Sequence, residues 1–279
     1  MIEDNISLDR IIRKALEEDL GTGDLTTEAI VDATSGGRAL LLAREKLVLA
    51  GMPVFRRVFE LLCSDMKIEY YFEDGQTVPS GEKICLLSGP LAAILKGERT
   101  ALNFLQRMSG IATLTRSYVD KIDSQKVKLV DTRKTGPGIR LLDKYAVRMG
   151  GGFNHRFGLF DGVLIKDNHI AAAGSIRRAV SLAKKNAPHT VSIEVEVEDL
   201  AGVEEAIGAG ADVILLDNMA PDMIRKAVDL VAGRVVIEAS GGINLGNIEE
   251  IAQTGINIIS VGALTHSPRA VDISLEVMI

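Results

Sequence analysis

Three short segments gather most of the residues able to do chemistry. Asp131-Thr132-Arg133-Lys134-Thr135-Gly136-Pro137-Gly138 is followed by Gly150-Gly151-Gly152-Phe153-Asn154-His155-Arg156, and then by Lys166-Asp167-Asn168-His169. Between Asp131 and Arg156 six Lys or Arg stand against two Asp, a local balance of +4 in a chain of formal net charge −6. Cations set beside glycines, on a chain that otherwise repels anions, point to a pocket for a small, multiply charged anion. A nucleic-acid or membrane surface would need a broader basic face.

The cationic set is Arg133, Lys134, His155, Arg156 and Lys166. Arginine grips carboxylate or phosphate through a planar fork, and lysine offers a mobile point charge. Following three glycines and preceding Arg156, His155 reads as a further anion ligand. Arg140, Lys144 and Arg148 fall in the helical spacing of Ile139–Met149 and read as surface charge. Glu196 and Asp217 each end a β-branched run, where carboxylates can hold Mg²⁺, bind sugar hydroxyls or stabilise a developing cation. Glu194, two residues before Glu196, points the same way one layer deeper. Ala239-Ser240-Gly241-Gly242-Ile243 and Ser260-Val261-Gly262-Ala263-Leu264 are glycine loops after late strands, suited to bringing backbone N–H groups against a phosphate. Arg99 reads as a solvated helix position, and His169 and His266 carry no special signal.

The elements that would position these residues recur from about residue 127 onward. Runs at Val127–Asp131, Gly162–Lys166, Val191–Val197, Asp212–Asp217, Arg234–Ala239 and Asn257–Gly262 read as strands. Helical patterns at Gly174–Asn186, Asp199–Ala209, Pro221–Val231 and Leu245–Gln253 lie between them. Nearly continuous apolar strands imply a parallel sheet covered on both faces. Polar residues recur at the strand ends, which favours a barrel, where all those ends meet at one mouth. The first 110 or so residues differ: a helix at Leu8–Leu20, strands at Ala39–Ala43, Ile68–Phe72 and Ile84–Leu87, and a long helical stripe over Leu91–Lys121 that Ser109-Gly110 could kink.

Composition sets the outer bounds. The 279 residues are 47% hydrophobic and 25% charged, which suits a globular chain of one large or two smaller domains. Aromatics make up 4% with no Trp, which disfavours base-stacking platforms. Cys63 and Cys85 sit in no metal-spaced motif and form no disulfide framework, so a reduced, cytoplasmic setting is expected. Met1-Ile2-Glu3-Asp4-Asn5 is acidic and unlike a signal peptide, and no run reaches the roughly 18 apolar residues of a membrane span.

In these motifs the chain resembles the quinolinate phosphoribosyltransferases, also called nicotinate-nucleotide pyrophosphorylases (carboxylating). The resemblance rests on Gly97–Asn103 (GERTALN), Ser109–Ala112 (SGIA), Asp131–Pro137 (DTRKTGP), Gly150–His155 (GGGFNH) with Arg156, Leu164–His169 (LIKDNH), Glu194–Val197 (EVEV), Leu215–Asn218 (LLDN), Ala239–Ile243 (ASGGI) and Ser260–Thr265 (SVGALT). It implies an α/β fold with an N-terminal α/β sandwich domain over residues 1–112, against which a tail of residues 268–279 packs back. An incomplete, open α/β barrel follows over 113–267. It also implies transfer of phosphoribosyl from 5-phosphoribosyl-1-pyrophosphate to quinolinate with decarboxylation, giving nicotinate mononucleotide, pyrophosphate and CO₂ in NAD biosynthesis. Lys134, Lys166, Glu196 and Asp217 are the implied catalytic residues. Substrate binding is implied for these four with Arg99, Thr132, Arg133, His155, Arg156, Ser240, Gly241, Gly242, Gly262 and Ala263. Mg²⁺ would sit at Glu196 and Asp217, with no organic cofactor. The implied assembly is a homodimer, or a higher oligomer of it, in which Arg99 enters the partner's site; no nucleic acid or membrane takes part. A same-fold paralogue acting on another anion, such as the molybdenum-transport-associated relatives, and a non-catalytic phosphoribosyl-ligand binding protein are the alternatives.

Overall fold

The computed structural model describes residue 2 and residues 5–122 and 126–278; Met1, Glu3 and Asp4 of the acidic N-terminus, and Ile279 of the expected tail, lie outside the described residues. The chain clusters into two compact units, one of Met1–Arg116, Gly136–Gly151 and Thr265–Ile279, the other of Ser117–Thr135 and Gly152–Leu264.

Strands of the first unit are β1 (Gly36–Ala43), β2 (Leu47–Val48), β3 (Lys67–Tyr70), β4 (Thr77–Val78) and β5 (Lys83–Pro90). Those of the second are β6 (Lys128–Val130), β7 (Val163–Ile165), β8 (Ile193–Val197), β9 (Val213–Asp217), β10 (Val236–Ser240) and β11 (Ile258–Ser260), after which β12 (Ile273–Met278) returns to the first. Each lies within a few residues of the corresponding sequence expectation. β2, β4, β12 and the helices Leu25–Ile30, Met52–Leu62, Asp167–Ala173 and Ala263–His266 are additions.

The first unit is built on an antiparallel sheet in the order β12-β1-β5-β3, with β2 and β4 paired beside it. Alternation along β1 buries Ala39, Leu41 and Ala43 completely, the period of two expected of a sheet with one covered face. Phe55 and Phe59 of the helix Met52–Leu62 meet edge to face at 5.1 Å, and Gly97 of the long helix lies so close to the Phe59 ring that a Cβ there would sit 2.6 Å from it. That long helix runs from Leu91 to Ile122 without interruption. Ser109-Gly110 does not interrupt it. The two small residues serve close approach: Ser109 Oγ exchanges hydrogen bonds with the Ala50 backbone, and a Cβ on Gly110 would meet the Arg269 carbonyl at 2.1 Å.

The segment Gly136–Gly151, assigned by sequence to the barrel, clusters with the first unit. Its ties are polar. Arg107 grips the fully buried Asp143 through two bonds of 2.9 and 2.8 Å, and Tyr145 donates to Asp74 at 2.7 Å. The helix Arg140–Met149 is therefore enclosed on much of its circumference. Arg148 is exposed and Arg140 half-buried, but Lys144 is buried, so the reading of all three as surface charge is corrected at Lys144.

The second unit is an all-parallel sheet in the order β6-β11-β10-β9-β8-β7. Apart from β6, each strand lies beside its successor in sequence, with no reversal of direction of the kind that marks a doubly wound sheet. The first strand joins the last, and among the described residues no ladder joins β6 to β7; Phe153 pairs instead on the free side of β6. This is the winding of an α/β barrel left open between its first two strands.

Candidate active site

Every strand of the second unit delivers its C-terminal end to the same side, and the ends surround a cavity of about 590 Å³. It is lined by Thr132, Arg133, Lys134, His155, Arg156, Leu164, Lys166, Glu196, Leu215, Asp217, Asn218, Glu238, Ser240, Gly241, Gly242 and Ser260. Eleven of these were expected from sequence as site residues; Leu164, Leu215, Asn218 and Ser260 stood only within the quoted motifs, and Glu238 in none. Gly262 and Ala263 are half-buried beyond β11, outside the lining, and Arg99 is exposed on the first unit.

The loop that carries His155 and Arg156 is held by a buried acid. Asp131, fully buried after β6, accepts from Asn154 Nδ2 at 2.5 Å and from the His155 backbone at 3.0 Å, which ties the Gly152–Arg156 loop to the exit of the strand. Arg156 Nη1 donates to the Gly162 carbonyl at 2.8 Å. Burial, and then the positive charge of Arg133, pull the Arg156 guanidinium below its ordinary range. Two such cations forced together, one partly desolvated, favour an anion between them.

The strand ends follow the two-residue period. Glu194 and Glu196 on β8, Leu215 and Asp217 on β9, and Glu238 and Ser240 on β10 face inward in two layers, while Ile193, Val195 and Val197 bury the outer face. In the upper layer Lys166, at the exit of β7, forms an ion pair with Glu196. Asp217 accepts from Asn218 Nδ2 at 2.8 Å. Asn218 is held in the left-handed region at φ 54°, with its N–H on the Ser240 carbonyl at 2.9 Å, directly against Gly241. Gly241 and Gly242 have φ of 86° and 61°, which only glycine adopts freely, and a Cβ on Gly241 would stand 2.3 Å from Asn218 Oδ1.

In the lower layer His155, Glu194 and Glu238 meet. His155 Nε2 lies 3.1 Å from Glu194 Oε2 and 3.6 Å from Glu238 Oε2, while Nδ1 accepts the Arg156 N–H at 2.7 Å. An accepting Nδ1 makes Nε2 the protonated nitrogen, a donor to the carboxylates rather than a metal ligand. Both ring nitrogens are thus engaged inside the protein, and through Nδ1 His155 anchors the Arg156 backbone at the cavity it lines. Glu194 and Glu238 each bury one oxygen, Oε1, with no hydrogen-bond partner. Burial, then the adjacent Glu194, push the Glu238 carboxyl up to about 7.

Charge is therefore sorted by position. The cations come from the two free edges, Arg133, Lys134 and Arg156 beside β6 and Lys166 after β7, and the carboxylates from the middle strands β8, β9 and β10. Sequence reasoning found the cations by type and clustering but missed Glu238, which lies between Ile237 and Ala239 and reads as part of an apolar strand. Its signal was its offset: it stands two residues before Ser240, as Glu194 stands two before Glu196. Neither cysteine lines this cavity, and burial raises the Cys85 thiol well above its usual range.

Comparison with known proteins agrees over the whole length. The model of the quinolinate phosphoribosyl transferase N-terminal domain matches residues 24–109, and that of the C-terminal domain matches residues 111–276. A protein of Bacillus subtilis named probable nicotinate-nucleotide pyrophosphorylase [carboxylating] is 47% identical over 273 residues, covering 98% of this chain and 94% of its own. The crystal structure of NadC from Streptococcus pyogenes superposes with a TM-score of 0.94 at 44% identity, covering 97% and 96% of the two chains. The nicotinate-nucleotide pyrophosphorylase of Francisella tularensis gives a TM-score of 0.92 at 44% identity, over 98% and 96%. With both domain models matched in order and relatives of this identity along nearly its full length, the chain belongs to the quinolinate phosphoribosyltransferase family.

Proposed function

We propose that this protein is a pentosyltransferase that joins quinolinate to 5-phosphoribosyl-1-pyrophosphate and releases CO₂, pyrophosphate and nicotinate mononucleotide, a step of NAD biosynthesis. The observation that carries this reading is the sorted charge of one cavity: cations at both edges of the sheet and carboxylates along its middle. Both substrates are anions and repel each other, and the bond-breaking step leaves a ribose with positive character. A cavity cationic on one side and acidic on the other answers both demands.

In this reading Arg133 and Arg156 hold the two carboxylates of quinolinate, and His155 keeps Arg156 in place. Lys134 and Lys166 face the pyrophosphate, Thr132 borders it, and the Ser240–Gly242 and Gly262–Ala263 loops receive the 5-phosphate. The pyridine nitrogen attacks the anomeric carbon as pyrophosphate departs, and Glu196 and Asp217 stabilise the charge that develops there. Once quaternised, the ring nitrogen draws off the electron pair of the neighbouring carboxylate bond, and CO₂ leaves without help from an organic cofactor.

Glu196 and Asp217 also fit Mg²⁺, because both are hard oxygen donors on adjacent strands, and this ion favours one or two carboxylates together with substrate phosphates. When bound there it would supply charge neutralisation for the leaving pyrophosphate. The functional assembly in this reading is a homodimer in which the partner's Arg99 adds a cation to the quinolinate side. The deciding assay supplies both substrates with Mg²⁺ and follows CO₂ and nicotinate mononucleotide together. Equimolar appearance of the two is expected. Tight binding of the phosphoribosyl compound with no CO₂ would leave a binding protein or a paralogue for another anion.

A further inference from the structure

The ring carbon that loses CO₂ must gain a proton. We infer that Glu238 is the acid that delivers it to the ring carbon, a role that rests on the reaction proposed above. Glu238 lines the cavity and yet is only 2% exposed. Its Oε1 is buried without a hydrogen-bond partner, and Oε2 faces the protonated Nε2 of His155. The groups that face it from its surroundings are Glu194 of β8, His155 of the loop beside β6 and Ser260 of β11. Two abutting carboxylates in such an enclosure do not both carry charge. Burial first, and then Glu194, raise the Glu238 carboxyl, and of the two acids only Glu238 lines the cavity, so the proton within reach of a bound substrate is that of Glu238.

The other cavity groups are less suited. An arginine does not release its proton, and Lys166 is held by Glu196. A neutral carboxylic acid at the cavity floor also adds no negative charge against an incoming dicarboxylate, which an ionised Glu238 would do. The step balances. The bond between the ring carbon and its carboxylate breaks, CO₂ leaves, and the electron pair remains on the carbon. That pair takes the Glu238 O–H proton, a C–H bond forms, and Glu238 becomes a carboxylate until water restores its proton as product departs.

The test uses the full chain as wild type, Glu238→Gln and Glu238→Asp, with pyrophosphate release and nicotinate mononucleotide formation followed separately in a single turnover. Glu238→Gln should release pyrophosphate within about twofold of the wild-type rate while nucleotide formation slows about 100-fold, the typical worth of a positioned acid. Glu238→Asp, which keeps the acid on a shorter stem, should recover part of that loss. The wild-type kcat should fall on the alkaline side as Glu238 loses its proton, and the Gln variant should lack that fall. Wild-type kinetics in Glu238→Gln would overturn the inference. So would an equal slowing of both steps together with a fall in melting temperature, since that is the mark of a structural residue. If the wild type itself releases neither CO₂ nor pyrophosphate, the reaction assignment fails and takes this inference with it.

Discussion

A carboxyl group pushed up to about 7 leaves a trace in stability as well as in turnover. Folded, Glu238 keeps a proton that the unfolded chain releases in the ordinary carboxylate range. Between that range and about pH 7 the folded state binds the extra proton, so stability falls as pH rises through this window and stays at the lower level above it. Glu238→Gln, neutral at every pH and of nearly the same shape, removes the penalty. It should melt above the wild type at pH 8, and the gap should close toward pH 5, as thermal unfolding across that range would record. A variant melting below the wild type throughout would show that the carboxyl is not under this strain. The same residue shows where reading by type stops. Arg133, Lys134, Arg156 and Lys166 are conspicuous because cations cluster beside glycines, whereas a single acid inside an apolar strand is conspicuous only once the neighbouring strands are in register.

At the scale of elements, the parallel strands were legible because burial on both faces writes an unbroken apolar run, and the βα loops because glycine and Asp or Ser caps punctuate them. The helix Asp167–Ala173 was not, since it is short, has no buried residue and is braced by a polar contact, His169 Nδ1 accepting the Lys166 N–H at 3.0 Å. The pairing of Gly241 with Asn218 was equally hidden, because it joins the exits of two strands. It is testable. A Cβ at Gly241 meets both a φ of 86° and the Asn218 side chain, a strain of roughly 1–3 kcal/mol that falls on the loop assigned to the 5-phosphate. Gly241→Ala should therefore raise the KM for the phosphoribosyl substrate about tenfold or more and leave that for quinolinate nearly unchanged. Equal rises in both would separate this loop from phosphate binding.

The whole molecule divides its chemistry unevenly. Every lining residue of the cavity belongs to the second unit, while Arg99 belongs to the first and is exposed there. If Arg99 serves a neighbouring copy, mixing Arg99→Ala and Asp217→Ala subunits, each inactive alone, should restore about a quarter of wild-type activity, because half the dimers are mixed and each regains one intact site. Verified mixed dimers without activity would confine Arg99 to its own chain. Composition spoke for globularity and against a broad basic face, and none of the described helices is long and apolar enough to cross a membrane. Gly136–Gly151 clusters with the first unit through pairings, Arg107 with Asp143 and Tyr145 with Asp74, that span dozens of residues and leave no mark in the local sequence.

The return of β12 to pair with β1, from Ala43 opposite Ile273 to Arg38 opposite Met278, bears on how the chain is made. During synthesis β1 leaves the ribosome more than 200 residues before its partner. Its edge therefore stays unsatisfied while the whole second unit is translated. Throughout that interval the nascent first unit carries an open strand edge over an apolar face, the kind of surface that recruits chaperones or other nascent chains.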